Sequence, residues 1–388
     1  MIESPLQLLA IFLGLITLSV WLDKTYAWAS KISAVVMILF LSALISNVGL
    51  ITSRSSFYDE MAGFTVPFAV CLILFTVSLA DLKSSGKPLL AAFAVACVGT
   101  IIGVIAAGLL LAGPLEQILG SDSWKLAGPF VGTYTGGSLN FFAMWNGLDV
   151  GSPDLFAAAN AVDNLTIFAL FAIWVAVPAW LGRFYKVSPV WGDIDAAEDA
   201  EADAKTREPE LRILDVMALA FAAVTVMVLS DLIKEHLIAH WMPTFPTILI
   251  VTTLALILAQ LPVIGRLQGA FQMGNMAFFL FFCAIGAMID VKMAIVLSPV
   301  LFAYVMIMIV VHMGMIYGVG RLLRLDIRVL TIASCAAKAG PPTVVALANI
   351  HGWKNLVLPG MAMGLLGYAV GNYLGFAAAY AMKVLLGQ

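Results

Sequence analysis

The sequence predicts an all-α integral membrane protein made of two inverted repeats, each with five transmembrane helices plus one broken or re-entrant helix. Three observations carry this prediction. First, the 388 residues are 62% apolar and only 11% charged, with a mean hydropathy of +1.02, whereas a soluble domain carries about 25% charged residues. Second, the apolar runs fall into two similar sets on either side of an acidic stretch. Third, one run in each set is interrupted at its centre by glycine or proline. The runs far exceed the ~10-residue alternating strands of a membrane barrel.

A helical span needs about 20 apolar residues. On that rule the first repeat, residues 1–182, holds spans at 5–21, 32–51, 64–80, 89–112 and 153–181, with a broken stretch at 124–147. The N-terminal run carries Glu3 and no Lys or Arg ahead of it, so it reads as a first span and not a secretory leader. Residues 183–211 form a linker. Its core from Asp193 to Glu210 sets eight acids against Lys205 and Arg207, the pattern of a solvated charge run. The second repeat, residues 212–388, holds spans at 213–232, 245–261, 270–289, 294–320 and 356–382, with a broken stretch at 331–349. Asp81-Leu82-Lys83 closes the third span of one half, and Asp290-Val291-Lys292 closes the third span of the other. Asn164 and Asn372 sit in the two final helices. Repetition of this kind marks secondary transporters.

Cationic loops are expected on the cytoplasmic side. The clusters are Lys24 and Lys31; Lys83 and Lys87; Arg183 and Lys186; Arg266; and Arg321, Arg324 and Arg328. They fit an inner (plasma) membrane protein with its N-terminus outside and the acidic linker in the cytoplasm, provided that both broken stretches turn back. Five crossings per half would then invert one half relative to the other. Fully crossing broken helices with one further span are the alternative.

The broken stretches are where function is expected. Gly132, Thr133, Tyr134, Thr135, Gly136, Gly137, Ser138 and Asn140 place glycine and hydroxyls where a span wants leucine and valine. Exposed backbone at membrane depth persists only inside protein or around a wet cavity. In the second stretch Gly340-Pro341-Pro342 cannot continue a helix, because proline lacks the N–H and clashes with the preceding turn.

Asn160, Asp163 and Asn164 share one helix face at spacings of three and four. Asp163 lies ~15 Å along the axis from Pro153 at 1.5 Å per residue, near the bilayer midplane, where a carboxylate marks function by default. It is read as the ligand of a coupling cation such as sodium, an ion that takes oxygen donors, with Asn160, Asn164 and Thr135 beside it. Thr133, Ser138, Asn140, Lys338, Thr343 and Asn372 are the candidate solute contacts. The competing structural reading pairs Asp163 with Lys338, and each hydroxyl alone could bond its own helix backbone. His312 reads first as a satisfied core histidine. Cys71, Cys97, Cys283 and Cys335 sit singly in apolar runs and carry neither metal spacing nor a disulfide framework. No nucleophile motif stands out, since Gly-Gly-Ser-Leu-Asn is not a nucleophile elbow. No enzyme activity and no resident cofactor are therefore expected, and no nucleic-acid partner.

The motifs G-T-Y-T-G-G-S-L-N-F (132–141), A-A-A-N-A-V-D-N (157–164) and A-K-A-G-P-P-T (337–343) resemble the bacterial and plant membrane family known as domain of unknown function 819, over nearly the whole chain. More distantly the layout is similar to sodium/glutamate and sodium/citrate symporters, and to the cation/proton antiporters and sodium/bile-acid symporters. These resemblances imply a moving core domain that holds hairpins against a scaffold domain, and a homodimer. The chain departs from the antiporter pattern of two adjacent acids by having Asp163-Asn164. Together these readings predict a sodium- or proton-coupled secondary transporter of a small, anionic organic solute by alternating access. A cation/proton antiporter without organic substrate is the alternative, and a non-transporting receptor or enzyme the reading from another class.

Overall fold

A computed structural model describes residues 2–26, 29, 34–78, 86–185, 212–242 and 245–388. The Asp81-Leu82-Lys83 motif and linker residues 186–211 lie outside the described residues, as do Lys31, Lys83 and Lys186. Among the described residues the secondary structure is helical, apart from one isolated bridge between Ile2 and Ile51. Helices α1 Pro5–Thr25, α2 Ala34–Asn47, α3 Ser56–Leu74 and α4 Lys87–Leu110 come first. A short α5 Ala112–Leu119 and a 3-10 turn lead into α6 Ala127–Gly136 and α7 Ser138–Leu148, then α8 Pro153–Leu181. The second half contains α9 Ile213–Ile233, α10 Thr247–Ala259, α11 Ala270–Met288, α12 Val291–Leu322, α13 Ile327–Ile350 and α14 Val357–Leu386. Nine helices among the described residues are long and apolar enough to span a membrane, and α2 and α10 are shorter apolar helices. The protein is thus a multi-pass helical membrane protein.

Local sequence sets the helix starts. The side chain of Ser152 accepts from the Leu155 N–H ahead of Pro153, which fills the first helical position of α8. The Asp290 carboxylate caps α12 through the N–H groups of Lys292 and Met293. That of Asp326 caps α13 through Arg328 N–H.

The two broken stretches are helical hairpins. Gly137 separates α6 from α7 at φ 76°, ψ 174°, and Gly340 breaks α13 at φ 72°, ψ −176°. Only glycine adopts this backbone without strain. On a continuous helix Phe130 and Phe141 would stand ~16 Å apart; their ring centroids are 5.8 Å apart. In α13, a Cβ on Gly360 would lie 2.6 Å from both Ile332 and Val344, residues that an unbroken helix would hold ~18 Å apart. Trp174 likewise reaches Ser334 on one limb and His351 just beyond the other. Length and composition alone would count α13 as a span, yet it folds back.

Helix α14 serves both hairpins. Gly367, Gly371 and Gly375 face Gly136, Gly132 and Gly128 of α6 in antiparallel order, and the missing side chains bring backbone against backbone. Nearer its N-terminal end, Gly360 and Gly364 face Val344 and Pro341 of α13. The hairpins therefore approach from opposite ends of α14. Their tips meet at Tyr368, whose ring borders both Gly137 and Gly340.

The helices pack as two groups. Helices α1, α2, α3, α9, α10 and α11 pack among themselves, as do α4, α12, α8, α14 and the two hairpins. The groups touch where α7 meets α3, α8 meets α11 and α10 meets α14. Phenylalanines fill much of this boundary: Phe142 of α7 lies 4.6 Å from Phe282 of α11, and Phe156 of α8 lies 5.6 Å from Phe281.

Candidate functional site

Where the hairpin tips converge, a charged pair is closed off from solvent. Lys338 of α13 places its Nζ 2.5 Å from Asp163 Oδ1 of α8, with side-chain exposures of 2% and 3%. The same ammonium donates to Thr133 Oγ1 at 3.1 Å and lies 4.0 Å from the centroid of the Tyr134 ring. A lysine ammonium has three donors, and the carboxylate, the hydroxyl and the ring face engage all three. The Thr133 hydroxyl donates in turn to Asp163 Oδ2 at 3.4 Å. Uncompensated charge at this depth would cost several kcal/mol, and the contact offsets part of that cost for each partner.

The sequence-selected residues divide by what they touch. Asp163, Lys338 and Thr133 form one cluster. Asn160 is buried and accepts from the Asn164 amide at its side-chain and backbone oxygens, at 3.1 and 2.8 Å. Thr135 and Thr343 donate to carbonyls one turn back, those of Val131 and Ala339, the local bonding open to any hydroxyl on a helix. Asn140 pins hairpin α6–α7 to α14 by donating to Gly367 O at 3.1 Å. Asn372 donates to Thr252 Oγ1 of α10 at 3.0 Å, and its buried Oδ1 has no partner among the described residues.

Ser138 and Asn164 belong to a second feature. They line a cavity of about 130 Å³ between α7 and α8 on one side and α11 on the other, together with Asn275 and the rings of Phe142, Phe278 and Phe282. Asn275 is not among the sequence-selected residues; it shares a Phe- and Met-rich span with one other carboxamide, Gln272. The available signal was a carboxamide set within an apolar run, where few partners can satisfy it. Tyr368 is not among the sequence-selected residues, and nothing in its sequence context marks the meeting of two hairpins.

A buried relay lies behind the pair. Trp174 Nε1 donates to Ser334 Oγ at 3.0 Å, and His312 lies between Ser334 Oγ and Thr100 Oγ1, each 2.9 Å from a ring nitrogen. Thr100 spends its proton on the carbonyls of Ala96 and Tyr134, both at 3.1 Å. The hydroxyl of Thr100 therefore accepts from His312 Nδ1–H, and Ser334 donates to Nε2. A neutral imidazole satisfies every group, and the network ties hairpin α6–α7 to the first limb of α13. At the base of the α13 hairpin, His351 stacks on Trp353 at 4.2 Å, and partial burial holds its imidazole below the ordinary histidine range.

Around Asp163 the donors are oxygens: its own carboxylate, Thr133 Oγ1 and, one turn away, Asn160 Oδ1. Such a set suits a hard monovalent cation. Among the described residues no three His, Cys, Asp or Glu side chains converge. Lys338 already occupies Asp163 Oδ1, while Oδ2 is met only by the Thr133 hydroxyl.

The model of the family described as "Protein of unknown function (DUF819)" matches residues 10–385. The uncharacterized membrane protein YjcL of Bacillus subtilis (strain 168) is 29% identical over 369 residues, covering 92% of this chain and 91% of the relative.

Proposed function

The chain belongs to the DUF819 family of membrane proteins, and from the site it builds we propose that it is a secondary active transporter. The observation that carries the reading is the convergence of two hairpin tips from opposite ends of α14 on a buried Asp163–Lys338 pair. Broken helices meeting at depth are how transporters bring backbone and side-chain ligands to a midplane site. The two halves also pack alike: α3 pairs with α11 and α4 with α12, while α14 lies on the first hairpin as α8 lies on the second. That pattern supports the reading of two inverted repeats, with the group around α14 as moving core and the group around α3 as scaffold.

Asp163 is the coupling site. With Lys338 in contact the carboxylate is neutralised from within. A sodium ion or a proton arriving at Asp163 takes over that neutralising role and frees the lysine, so occupancy of the site changes which charges need burial. Movement of the core then carries the ion together with a small organic solute. Simple cation/proton exchange is the second reading, because a displaced Lys338 could shed its proton on release.

The test is the thermal stability of detergent-purified protein in sodium against potassium or choline from pH 6 to 8.5, repeated for Asp163→Asn. Sodium binding to the native state raises the melting temperature by mass action, and the variant is expected to lose the gain. A pH-dependent shift without a sodium effect, lost in the same variant, assigns the coupling to protons. If the variant responds to ions and pH as the parent does, Asp163 is structural and the proposal fails.

A further inference from the structure

We infer that the cavity shared by Ser138, Asn164 and Asn275 is the solute site and that it selects small uncharged solutes with one polar end and an apolar body. This inference rests on the transporter reading above and narrows its substrate class. Three features of the cavity carry it.

The first is position. The cavity lies on the boundary between the two helix groups, with α7 and α8 from one and α11 from the other. Its floor includes Ser138, the residue after the tip glycine Gly137, and Asn164, the residue after Asp163. A solute there touches the group that carries the coupling site as well as the group it moves against.

The second is unspent hydrogen bonding. The side chains of Ser138 and Asn275 make no hydrogen bond to any described residue; both residues are partly exposed and both line the cavity. Asn164 spends its N–H on Asn160 and keeps its carbonyl oxygen. The site thus offers a hydroxyl, a whole carboxamide and an amide oxygen, which supply donors and acceptors together. At about 130 Å³ it has room well beyond the ~10–15 Å³ that one water needs.

The third is charge. Among the described residues, no lysine, arginine, histidine, aspartate or glutamate lines the cavity. The nearby Lys338 and Asp163 neutralise one another. An ion entering a pocket walled by Phe142, Phe278 and Phe282 would lose its hydration without gaining a counter-charge. An amide, hydroxyl or carbonyl end would be satisfied, and the rings would pack on the apolar body.

Three compounds of one shape separate the cases: benzamide, benzoate and benzamidine are neutral, anionic and cationic at pH 7.5. Equilibrium binding of each radiolabelled compound to the purified full-length protein is expected to favour benzamide at least tenfold over both ions. Asn275→Leu, which keeps the bulk and removes the amide, and Ser138→Ala should each weaken benzamide at least fivefold. Both should keep the melting response to sodium or pH that Asp163 confers, which also shows that they are folded. Tighter binding of either ion, unchanged benzamide binding in both variants, or no binding of any of the three compounds overturns the assignment. Benzamide binding without an Asp163-dependent response to sodium or pH would instead keep the cavity and remove the coupling reading.

Discussion

A lysine and an aspartate that are both nearly inaccessible can be held for architecture or for exchange, and the energetics of single and double substitutions separate the pair from its parts. Removing one partner leaves a bare charge in a low-dielectric interior, at a cost of roughly 3–5 kcal/mol, whereas replacing both by apolar groups of similar size is close to neutral. Lys338→Met should therefore lower the melting temperature in detergent by many degrees. Combining it with Asp163→Leu should restore most of the loss, and a double-mutant cycle gives the coupling directly. A Lys338→Met protein that melts like the parent would show that Asp163 finds its compensation elsewhere. These two residues were legible in the sequence because a charge at membrane depth stands out against apolar neighbours. Their contact was one of two open readings, since the same residues could have faced separate ligands. Asn275 was not legible: an uncharged amide in a span gives a weak signal until the cavity around it is seen.

At the scale of elements, glycine decides how closely the hairpins approach α14. A Cβ on Gly367 would sit 2.7 Å from the Thr135 carbonyl oxygen, and one on Gly375 would sit 2.8 Å from the Gly128 carbonyl oxygen. Backbone cannot swing aside as a side chain does, so Gly367→Ala should cost about 1–3 kcal/mol through overpacking. Gly314→Ala is the control. It lies inside α12 with nothing within 4 Å of its added Cβ, so the gain in helix propensity of up to ~1 kcal/mol should appear. Parallel melts of the two variants should move in opposite directions; a similar fall in both would mean that the glycine faces are not what sets the packing. Most elements could be read in advance, and residues 153–181 match α8 end to end. Helix α5 and the 3-10 turn after it were not foreseen, because Gly113-Pro114 and the polar run at 120–123 read as a loop. The interruptions at Gly137 and Gly340 were visible as composition. Whether the chain crossed or turned back there was not, since the same glycine serves either path and only packing on α14 selects the return.

For the molecule as a whole, the question is whether the two helix groups move against each other. Their boundary consists largely of phenylalanine contacts, which have few directional bonds to break. Its polar links are few by comparison: Asn372 of α14 donates to Thr252 of α10 at 3.0 Å, and the hydroxyls of Tyr373 and Thr253 are 2.8 Å apart. If α14 rides with a moving core, these bonds hold one end state and release in the other. Cysteines at positions 252 and 372 should then lie within reach of a mercury bridge in the state described here. The native thiols Cys71, Cys97, Cys283 and Cys335 are all buried, so they offer little competing reactivity. A further cysteine at position 138 reports on the cavity. In membrane vesicles of both orientations, an impermeant maleimide should label it from either side of the membrane before mercury treatment. After bridging it should label from one side only, with the second side restored by a thiol reductant. Labelling from a single side throughout, or from both sides after bridging, would mean that the boundary between the groups does not slide and that access to the cavity is gated by something smaller than a domain movement.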